Sequence, residues 1–283
     1  MESIATALEK IMDKVLIITG ECPKCGGPMR KWKNTNKDGT ERCAPVCTAA
    51  DCGYREMTKL HQSKERVMFD EAKMKDALTR LTKTSIVTDR SIFSNRFEDY
   101  RTPDPETKLA KQRTLEWAAD IVQGKKIHAI LTGSPGVGKT HLGMSILNFS
   151  MKKSSYVITC SVVSYRELLE QLKFAMNDPE ARKQIQGALM TEIKKTDLVL
   201  IDDIGAELGR LEDNQQATAY DVDVLTSLAE ARLDKATIFT TNLTSKQLIH
   251  AYGERVFSRM MNNASKEYVM NFKETTDKRR NPI

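Results

Sequence analysis

The order of apolar and polar residues predicts an α/β fold for most of this chain. From about residue 96 onward, short apolar runs alternate with longer segments in which apolar residues recur at helical spacing. The runs predicted to be strands are 128–132, 156–160, 197–202, 236–241 and 268–272. Because such alternation is typical of parallel pairing, we expect a parallel sheet with helices on both faces.

Capping residues mark several of the predicted helices. The segment 106–123 ends at Gly124, a typical helix terminator. Ser164 and Glu167 have the spacing of a capping box ahead of another helix. A further helix is predicted to open at Asp178-Pro179, since proline suits the first helical turn.

The first part of the chain follows a different pattern. Apolar residues at helical spacing predict a helix over 4–16, and the polar, charge-dense stretch 61–90 is interpreted as a helical linker. We therefore expect three parts: an N-terminal helix plus a small zinc-binding domain (1–62), a charged helical linker (63–95) and an α/β domain (96–283).

Composition is that of a folded protein outside the membrane. Hydrophobic residues make up 40% of the 283 residues and charged residues 29%, which argues against disorder. The mean hydropathy is −0.46, and apolar runs such as 15–18 are far shorter than the ~18 residues of a membrane helix. No secretory signal is recognisable. We expect a cytoplasmic protein with no membrane partner.

Cysteine spacing predicts a zinc site. Five of the six cysteines lie between positions 22 and 52, and cytosolic thiols remain reduced. Cys22-x₂-Cys25 and Cys47-x₄-Cys52 have the spacing of two zinc knuckles, each followed by glycine. Cys43 could replace Cys47, although Cys47 closes the more compact knuckle. Four thiolates would make the Zn²⁺ structural, in a small zinc-ribbon-like domain.

The strongest motif predicts a nucleotide site. Residues 133–140 match G-x-x-x-x-G-K-[ST] between an apolar strand and a helix. Backbone N–H groups of such a loop hold phosphates, the lysine reaches the β- and γ-phosphates, and the threonine hydroxyl binds Mg²⁺. The predicted ATP-binding residues are Gly133, Ser134, Pro135, Gly136, Val137, Gly138, Lys139, Thr140 and His141.

Polar residues at two later strand ends belong to the same prediction. The apolar strand 197–202 ends in Asp202 and Asp203. Asp202 would bind Mg²⁺ together with Thr140, and Asp203 would polarise the attacking water. Asn242 follows the next strand and would contact the γ-phosphate or position the water, because ligands bind at the carboxyl ends of such strands.

These motifs together resemble a known family. GSPGVGKTHLG (133–143), LVLIDDIGAE (198–207), IFTTNLT (238–244) and GERVFSRMM (253–261) resemble, in order and rough spacing, the AAA+ ATPases of the DnaC/DnaI-type replicative helicase loaders and their IstB-like relatives. The resemblance covers about residues 96–283. It implies an AAA+ P-loop NTPase sheet flanked by helices.

The resemblance also assigns roles to single residues. It implies that Asn242 is the sensor-1 residue and that Arg259 is an arginine finger, which enters the site of a neighbouring subunit. Without the resemblance, Arg255 and Arg259 would be interpreted as surface ion-pair residues. Asp203 stands where many AAA+ proteins have glutamate, which suggests slow hydrolysis. Arg279 or Arg280 would serve as sensor 2, unless this segment is only a basic tail.

The partners follow from the same resemblance. It implies a replicative hexameric DNA helicase bound by the N-terminal domain, single-stranded DNA bound by the ATPase domain, and an ATP-bridged oligomer. The sequence thus predicts a slow ATPase that loads a helicase during replication initiation, with ATP, Mg²⁺ and Zn²⁺ as cofactors. The alternatives are an IstB-like transposition helper and a DNA-binding regulator in which ATP is only a ligand.

The charge of the cysteine-rich segment leaves its ligand open. The chain carries a net charge of +6, and residues 22–66 contain ten basic and five acidic side chains. Basic residues around Trp32 would bind nucleic acid by stacking and charge, or would dock an acidic protein surface.

Overall fold

The computed structural model describes residues 11–56, 59–175, 180, 187, 190–209, 216–262, 264–275 and 277, with the backbone alone for 59–65. The chain folds as two compact units, Met1–Ala72 and Lys73–Ile283. The predicted three-part division at residues 62 and 95 stays a prediction. Among the described residues, none of the helices has both the length and the apolar character that a membrane span requires.

The first unit contains a three-stranded antiparallel sheet. Its strands are β1 (Leu16–Glu21), β2 (Pro28–Trp32) and β3 (Val46–Cys47), in the order β1-β2-β3. Its small core consists of Met29 packed among buried cysteines. A core of this size gives little stability by itself, and a metal ion held by the cysteines would supply a further cross-link.

The predicted helix over 4–16 is wrong at its end. Residues 11–15 are helical, but Leu16 begins β1 and pairs with Trp32. The isoleucines at 17 and 18 favour extended backbone because their branched side chains are restricted in a helix. Residues 1–10 lie outside the described part of the chain. A long helix, α1 (Lys59–Thr84), follows the sheet.

The second unit is built on a five-stranded parallel sheet. Its strands are β4 (His128–Gly133), β5 (Cys160–Ser164), β6 (Leu198–Ile204), β7 (Ala236–Thr241) and β8 (Val269–Phe272). The order across the sheet is β5-β6-β7-β4-β8, and every neighbouring pair is parallel. The predicted α/β class is therefore confirmed.

Helices cover both faces of this sheet. They are α2 (Pro105–Val122), α3 (Lys139–Lys153), α4 (Tyr165–Ala175), α5 (Met190–Lys195), α6 (Ala219–Glu230), α7 (Ser245–Tyr252) and α8 (Glu254–Met260). Within β4, Ala129 and Leu131 belong to one buried cluster and Ile130 to another. Alternate side chains thus enter separate cores, as expected for a sheet buried on both faces.

Residues interpreted as linker also contribute to these cores. Leu81 and Ile86 are buried among the two clusters. Ile86 forms a parallel bridge with Val163 of β5. Because β5 is an edge strand, this bridge extends the sheet on that side.

One predicted strand lies in the wrong place. Residues 156–160 were expected to be extended, but β5 covers Cys160–Ser164. Ser155 and Tyr156 adopt positive φ angles of 52° and 62°, which end α3 in a turn and delay the strand. The expected capping box would direct the Ser164 backbone N–H to Glu167, but this N–H donates to the Ile86 carbonyl at 2.8 Å, and Glu167 accepts from the Thr88 hydroxyl at 2.7 Å. The predicted helix start at Asp178-Pro179 lies outside the described residues.

A fully buried arginine joins the amino ends of the strands. The Arg232 guanidinium donates to the carbonyl oxygens of Ile193, Thr196, Asp197 and Ala236 and to the Thr237 hydroxyl, at 2.8–3.4 Å. Burial lowers the pKa of Arg232 to about 10, so the group stays charged at neutral pH. It satisfies carbonyls that the loops before β6 and β7 leave without strand partners.

Candidate functional site

The loop between β4 and α3 has the backbone shape of a phosphate-binding loop. Gly136 and Gly138 adopt φ angles of 84° and 96°, which side chains other than glycine rarely allow. Gly138 is the N-cap of α3, so the loop ends at the positive end of a 15-residue helix. The loop therefore offers backbone N–H groups to an anion.

Close packing supports the loop from outside. A Cβ atom at Gly133 would lie 2.6 Å from Cβ of Phe272, and one at Gly138 would lie 2.7 Å from the Tyr100 ring. The Tyr100 hydroxyl donates to the Val137 carbonyl at 3.1 Å. Burial raises the pKa of Tyr100, so this donor stays protonated. Sequence reasoning missed Tyr100, because its role depends on a contact with a loop 37 residues away.

Lys139 is held at the centre of the loop. Its Nζ donates to the carbonyls of Gly133 and Ser134, at 2.7 and 2.9 Å, and to Oδ1 of Asn242 at 2.7 Å. The residue is only 7% exposed. The flexible stem of a lysine lets its ammonium group exchange these carbonyl oxygens for phosphate oxygens.

Two threonines hold the Asp202 carboxylate. Thr140 donates to both of its oxygens at 2.9 Å, and Thr240 donates to Oδ1 at 2.6 Å. Burial raises the pKa of Asp202 above its ordinary value, while the threonine hydroxyls act in the opposite direction. A hydroxyl and a carboxylate side by side are hard oxygen donors of the kind that Mg²⁺ prefers.

Asp203 and Asn242 meet at the same edge of the sheet. The Asn242 amide donates to Oδ1 of Asp203 at 3.0 Å, and the Asp203 backbone N–H donates to the Thr240 hydroxyl at 2.8 Å. Asp203 has a φ angle of 59°, which turns its side chain away from the regular strand direction. Asn242 thus touches both Lys139 and Asp203.

These side chains surround one cavity of about 280 Å³. It is lined by Pro135, Gly136, Gly138, Lys139, Thr140, Asp203, Thr240 and Asn242. The donor set fits a magnesium nucleotide, because it combines an ammonium and loop amides for phosphates with a hydroxyl–carboxylate pair for the cation. Thr240 is an additional lining residue that the sequence did not single out.

The four remaining members of the predicted ATP-binding set are not among the residues that line this cavity. Gly133 and Ser134 face Lys139 through their carbonyls, and Val137 is fully buried. His141 is directed elsewhere: its Nε2 lies 2.8 Å from the Arg96 carbonyl and its ring packs on Tyr100 at 5.4 Å. Its predicted contact with the nucleotide stays a prediction.

Arg259 lies at the opposite end of the sheet. Its carbonyl contacts Nδ1 of His128, the first residue of β4, at 3.2 Å, whereas the phosphate loop follows the last residue of β4. Its Nε donates to Glu230 at 2.6 Å, so it forms the intrachain ion pair that the sequence left as an alternative. Arg279 and Arg280 lie outside the described residues.

A half-buried carboxyl group, that of Glu207, follows the acidic strand end. Glu207 accepts a hydrogen bond from the Tyr252 hydroxyl and one from the Gly205 backbone N–H at 3.1 Å. Burial raises the pKa of Glu207. This contact fixes the loop after β6 to the end of α7, and the sequence showed it only as part of the family motif.

The first unit brings four cysteines together. The Sγ atoms of Cys22, Cys25, Cys47 and Cys52 lie within 4.8 Å of one another. Cys22 and Cys52 are 3.7 Å apart, and Cys25 and Cys47 are 3.5 Å apart. Zn–S bonds of about 2.3 Å in a tetrahedron separate sulfurs by roughly 3.8 Å, so the cluster fits Zn²⁺. Among the described residues Cys43 is not part of it.

The peptide groups of the knuckles favour thiolates. The Lys24 and Gly27 N–H groups donate to the sulfurs of Cys22 and Cys25, both at 3.4 Å. Burial acts to raise the pKa of the Cys22 thiol, but the backbone and thiol contacts lower it to about 7. Metal ligation requires the deprotonated form, which these contacts stabilise.

The basic residues of this unit are partly neutralised within it. Arg30 pairs with Asp13 at 3.1 Å, and Lys31 pairs with Glu41 at 2.8 Å. Trp32 is 43% exposed, and the Arg42 guanidinium lies 5.9 Å from its ring centre. The exposed basic and aromatic surface is therefore smaller than the charge count suggested.

Comparison with known proteins identifies relatives of the chain. The sequence profile of the family described as IstB-like ATP binding protein matches residues 40–263. The Escherichia coli (strain K12) protein named "Replicative helicase loader DnaC" is 22% identical over 166 residues, which are 58% of this chain and 62% of that protein. "Uncharacterized protein YqaM" of Bacillus subtilis (strain 168) is 27% identical over 190 residues, 63% of this chain and 56% of that protein. The chain thus spans about three fifths of these curated relatives.

Solved structures share the fold. The crystal structure of the DnaC helicase loader superposes with a TM-score of 0.52 at 20% identity, covering 65% of this chain and 100% of that one. The crystal structure of DnaI gives 0.51 at 24% identity, covering 68% and 95%. These likenesses show that the second unit shares the fold of these two structures, a parallel sheet flanked by helices.

Proposed function

We propose, from the premise that this chain belongs to the IstB-like ATP-binding protein family, that it is a slow ATPase that loads a replicative hexameric DNA helicase onto single-stranded DNA. One observation carries the proposal. Lys139, Thr140, Asp202, Asp203 and Asn242 converge at one edge of the sheet, in a chain related to a protein named as a replicative helicase loader.

The nucleotide chemistry follows from these contacts. Lys139 would give up its carbonyl partners for the β- and γ-phosphates, while Asn242 keeps it next to Asp203. Thr140 and Asp202 would hold Mg²⁺, which neutralises phosphate charge when bound. Asp203, placed at 3.0 Å from the Asn242 amide, would accept a hydrogen bond from the attacking water. The shorter side chain of aspartate fits slow turnover, as in a switch.

Hydrolysis would be completed by a second copy of the chain. Arg259 contacts the amino end of β4, about six residues of strand away from the phosphate loop. Since a strand rises about 3.3 Å per residue, the separation is too large for Arg259 to reach its own site. An arginine on this surface would instead enter the site of a neighbour, in an ATP-bridged oligomer.

The first unit would dock the helicase. Four cysteine sulfurs fit a structural Zn²⁺, which leaves no open coordination position for chemistry. A small rigid sheet with a basic, aromatic edge is suited to a protein contact. A zinc site made of thiolates and a DNA-bound partner are consistent with the cytoplasm, where thiols stay reduced and where we propose that the protein acts.

Co-elution of the full chain with the host's replicative hexameric helicase tests this function. We expect a complex with ATP and Mg²⁺, and its loss for Lys139→Ala. The matched control is Lys152→Ala, an exposed lysine of the same helix. If ATP binds but no complex forms with any nucleotide, the loader function is wrong and the transposition helper becomes the better interpretation.

A further inference from the structure

One carboxylate holds both arginines of α8. Oε1 of Glu230, the last residue of α6, accepts from Nη2 of Arg255 at 3.0 Å and from Nε of Arg259 at 2.6 Å. Nη1 of Arg259 donates to the Arg255 carbonyl at 3.2 Å. These contacts join the two helices next to each other at the surface of the second unit.

The two arginines differ in how firmly they are held. The Arg255 side chain is 70% exposed and that of Arg259 is 28% exposed. They are one helical turn apart, so their positive charges repel each other, and a carboxylate between them offsets this repulsion. Glu230 supplies that charge, and hydrogen bonds from Arg255 and Arg259 keep the pKa of Glu230 below its ordinary value.

The contacts fix the plane of the Arg259 guanidinium. In the described part of the chain they take up its Nε–H and one Nη1–H group. A guanidinium has five N–H groups in a rigid fork, so these two contacts leave three of them, two on Nη2 and one on Nη1, for a further acceptor. A group held in this way presents a preformed anion-binding edge.

We propose that Glu230 is a positioning residue for Arg259, and that it sets the guanidinium so that its remaining edge binds the γ-phosphate in the site of a neighbouring copy. The inference rests on the proposed function, because it requires Arg259 to act on a second subunit. A plain surface ion pair would instead stabilise whichever subunit contains it, and its loss would matter equally in every chain of an assembly. The two possibilities therefore differ in which chain of a mixed assembly is sensitive to Glu230.

Mixed assemblies of full-length chains separate them. One chain, the donor, carries Lys139→Ala and keeps Arg259. The other, the acceptor, carries Arg259→Ala and keeps an intact nucleotide site. Each alone is expected to be inactive, and mixing restores ATP turnover at the interface where the donor's Arg259 meets the acceptor's ATP.

Glu230→Gln is then introduced into one chain at a time. In the donor we expect restored turnover to fall about tenfold or more, since small displacements of a catalytic group have effects of this size, with the KM for ATP unchanged. In the acceptor, which has no Arg259 to hold, we expect no fall. Glu254→Gln in the donor is the charge control, because Glu254 is an exposed acid on α8, the helix that carries Arg259.

Each result has a distinct meaning. If mixing fails to restore turnover, the trans arginine of the proposed function is wrong. If mixing restores it and donor Glu230→Gln has no effect, only the positioning role is overturned. An equal fall with Glu230→Gln in either chain also overturns it, because that result identifies a structural ion pair.

Discussion

Thr140 donates its hydroxyl to both carboxylate oxygens of Asp202 at 2.9 Å, although the two residues are 62 positions apart. The first residues of α3 and the end of β6 are therefore joined directly by this contact. Binding of Mg²⁺ here would compete with this hydrogen bond, because the Thr140 hydroxyl and the Asp202 carboxylate are both predicted magnesium ligands.

Asp202→Asn is expected to raise stability and abolish turnover. Burial raises the pKa of Asp202 in the folded chain, so the ionised carboxylate costs folding free energy above that pKa. The cost disappears below the unfolded value of about 3.9, where both states are protonated. Thermal unfolding without Mg²⁺ should give a higher midpoint for the variant at pH 7, with the difference shrinking toward pH 4. A lower midpoint at pH 7 would contradict this.

Lys139→Ala is expected to weaken ATP binding by about 100-fold or more, because the loop loses its phosphate-binding ammonium. Equilibrium binding of a fluorescent ATP analogue measures the effect. Lys152→Ala, an exposed change in the same helix, should bind like the unchanged chain. ATP binding that survives Lys139→Ala would show that the cavity is not the nucleotide site.

Asp203→Asn is expected to keep ATP bound and to lower turnover by about 10²–10⁴, the usual contribution of a general base. The amide is able to keep a contact with Asn242, but it accepts a proton poorly. Turnover and binding are measured on the same preparation, with the exposed Asp223→Asn as control. Loss of binding would mean that Asp203 holds the cation instead.

Cys22→Ser is expected to remove zinc from the chain while leaving ATP turnover intact, since the four sulfurs and the nucleotide cavity lie in different compact units. Cys43→Ser is the matched control, because Cys43 lies outside the cluster. Zinc per chain is measured by atomic emission. Zinc retained by Cys22→Ser but lost by Cys43→Ser would identify Cys43 as the ligand.

Arg232→Ala is expected to destabilise the second unit by about 3–5 kcal/mol, because several buried carbonyls lose a charged donor. Urea unfolding of the second unit measures the loss. Arg166→Ala provides the comparison, since its ion pair with Glu170 is exposed on both sides and contributes at most about 1 kcal/mol. Equal effects of the two changes would be inconsistent with the buried contacts.

Local patterns predicted the fold class and the elements that surround the candidate nucleotide site. The loop from Gly133 to Thr140 is one continuous stretch of sequence, and so is the acidic end of β6. Short sequence patterns therefore identify each of them. The prediction of a strand at 156–160 is wrong because the apolar run does not reveal the positive φ angles of Ser155 and Tyr156. Apolar character is shared by turns that pack and by strands.

Residues that act through distant contacts were beyond sequence reasoning. Nothing near Arg232 or Glu230 distinguishes these side chains from ordinary surface charges until the fold brings their partners to them. Tyr100 is similar, because only the loop packed against its ring gives it a role. The sequence predicted a chemistry for the site but gave no indication of the groups that hold its residues in place.

The close approach of Gly133 to Phe272 has a consequence for synthesis of the chain. β4 needs β8 as its neighbour, and Glu106 binds the backbone N–H groups of residues 273–275. During translation the phosphate loop emerges from the ribosome about 130 residues before the strand that supports it. We therefore expect the nucleotide pocket to reach its final shape only after β8 has joined the sheet next to β4.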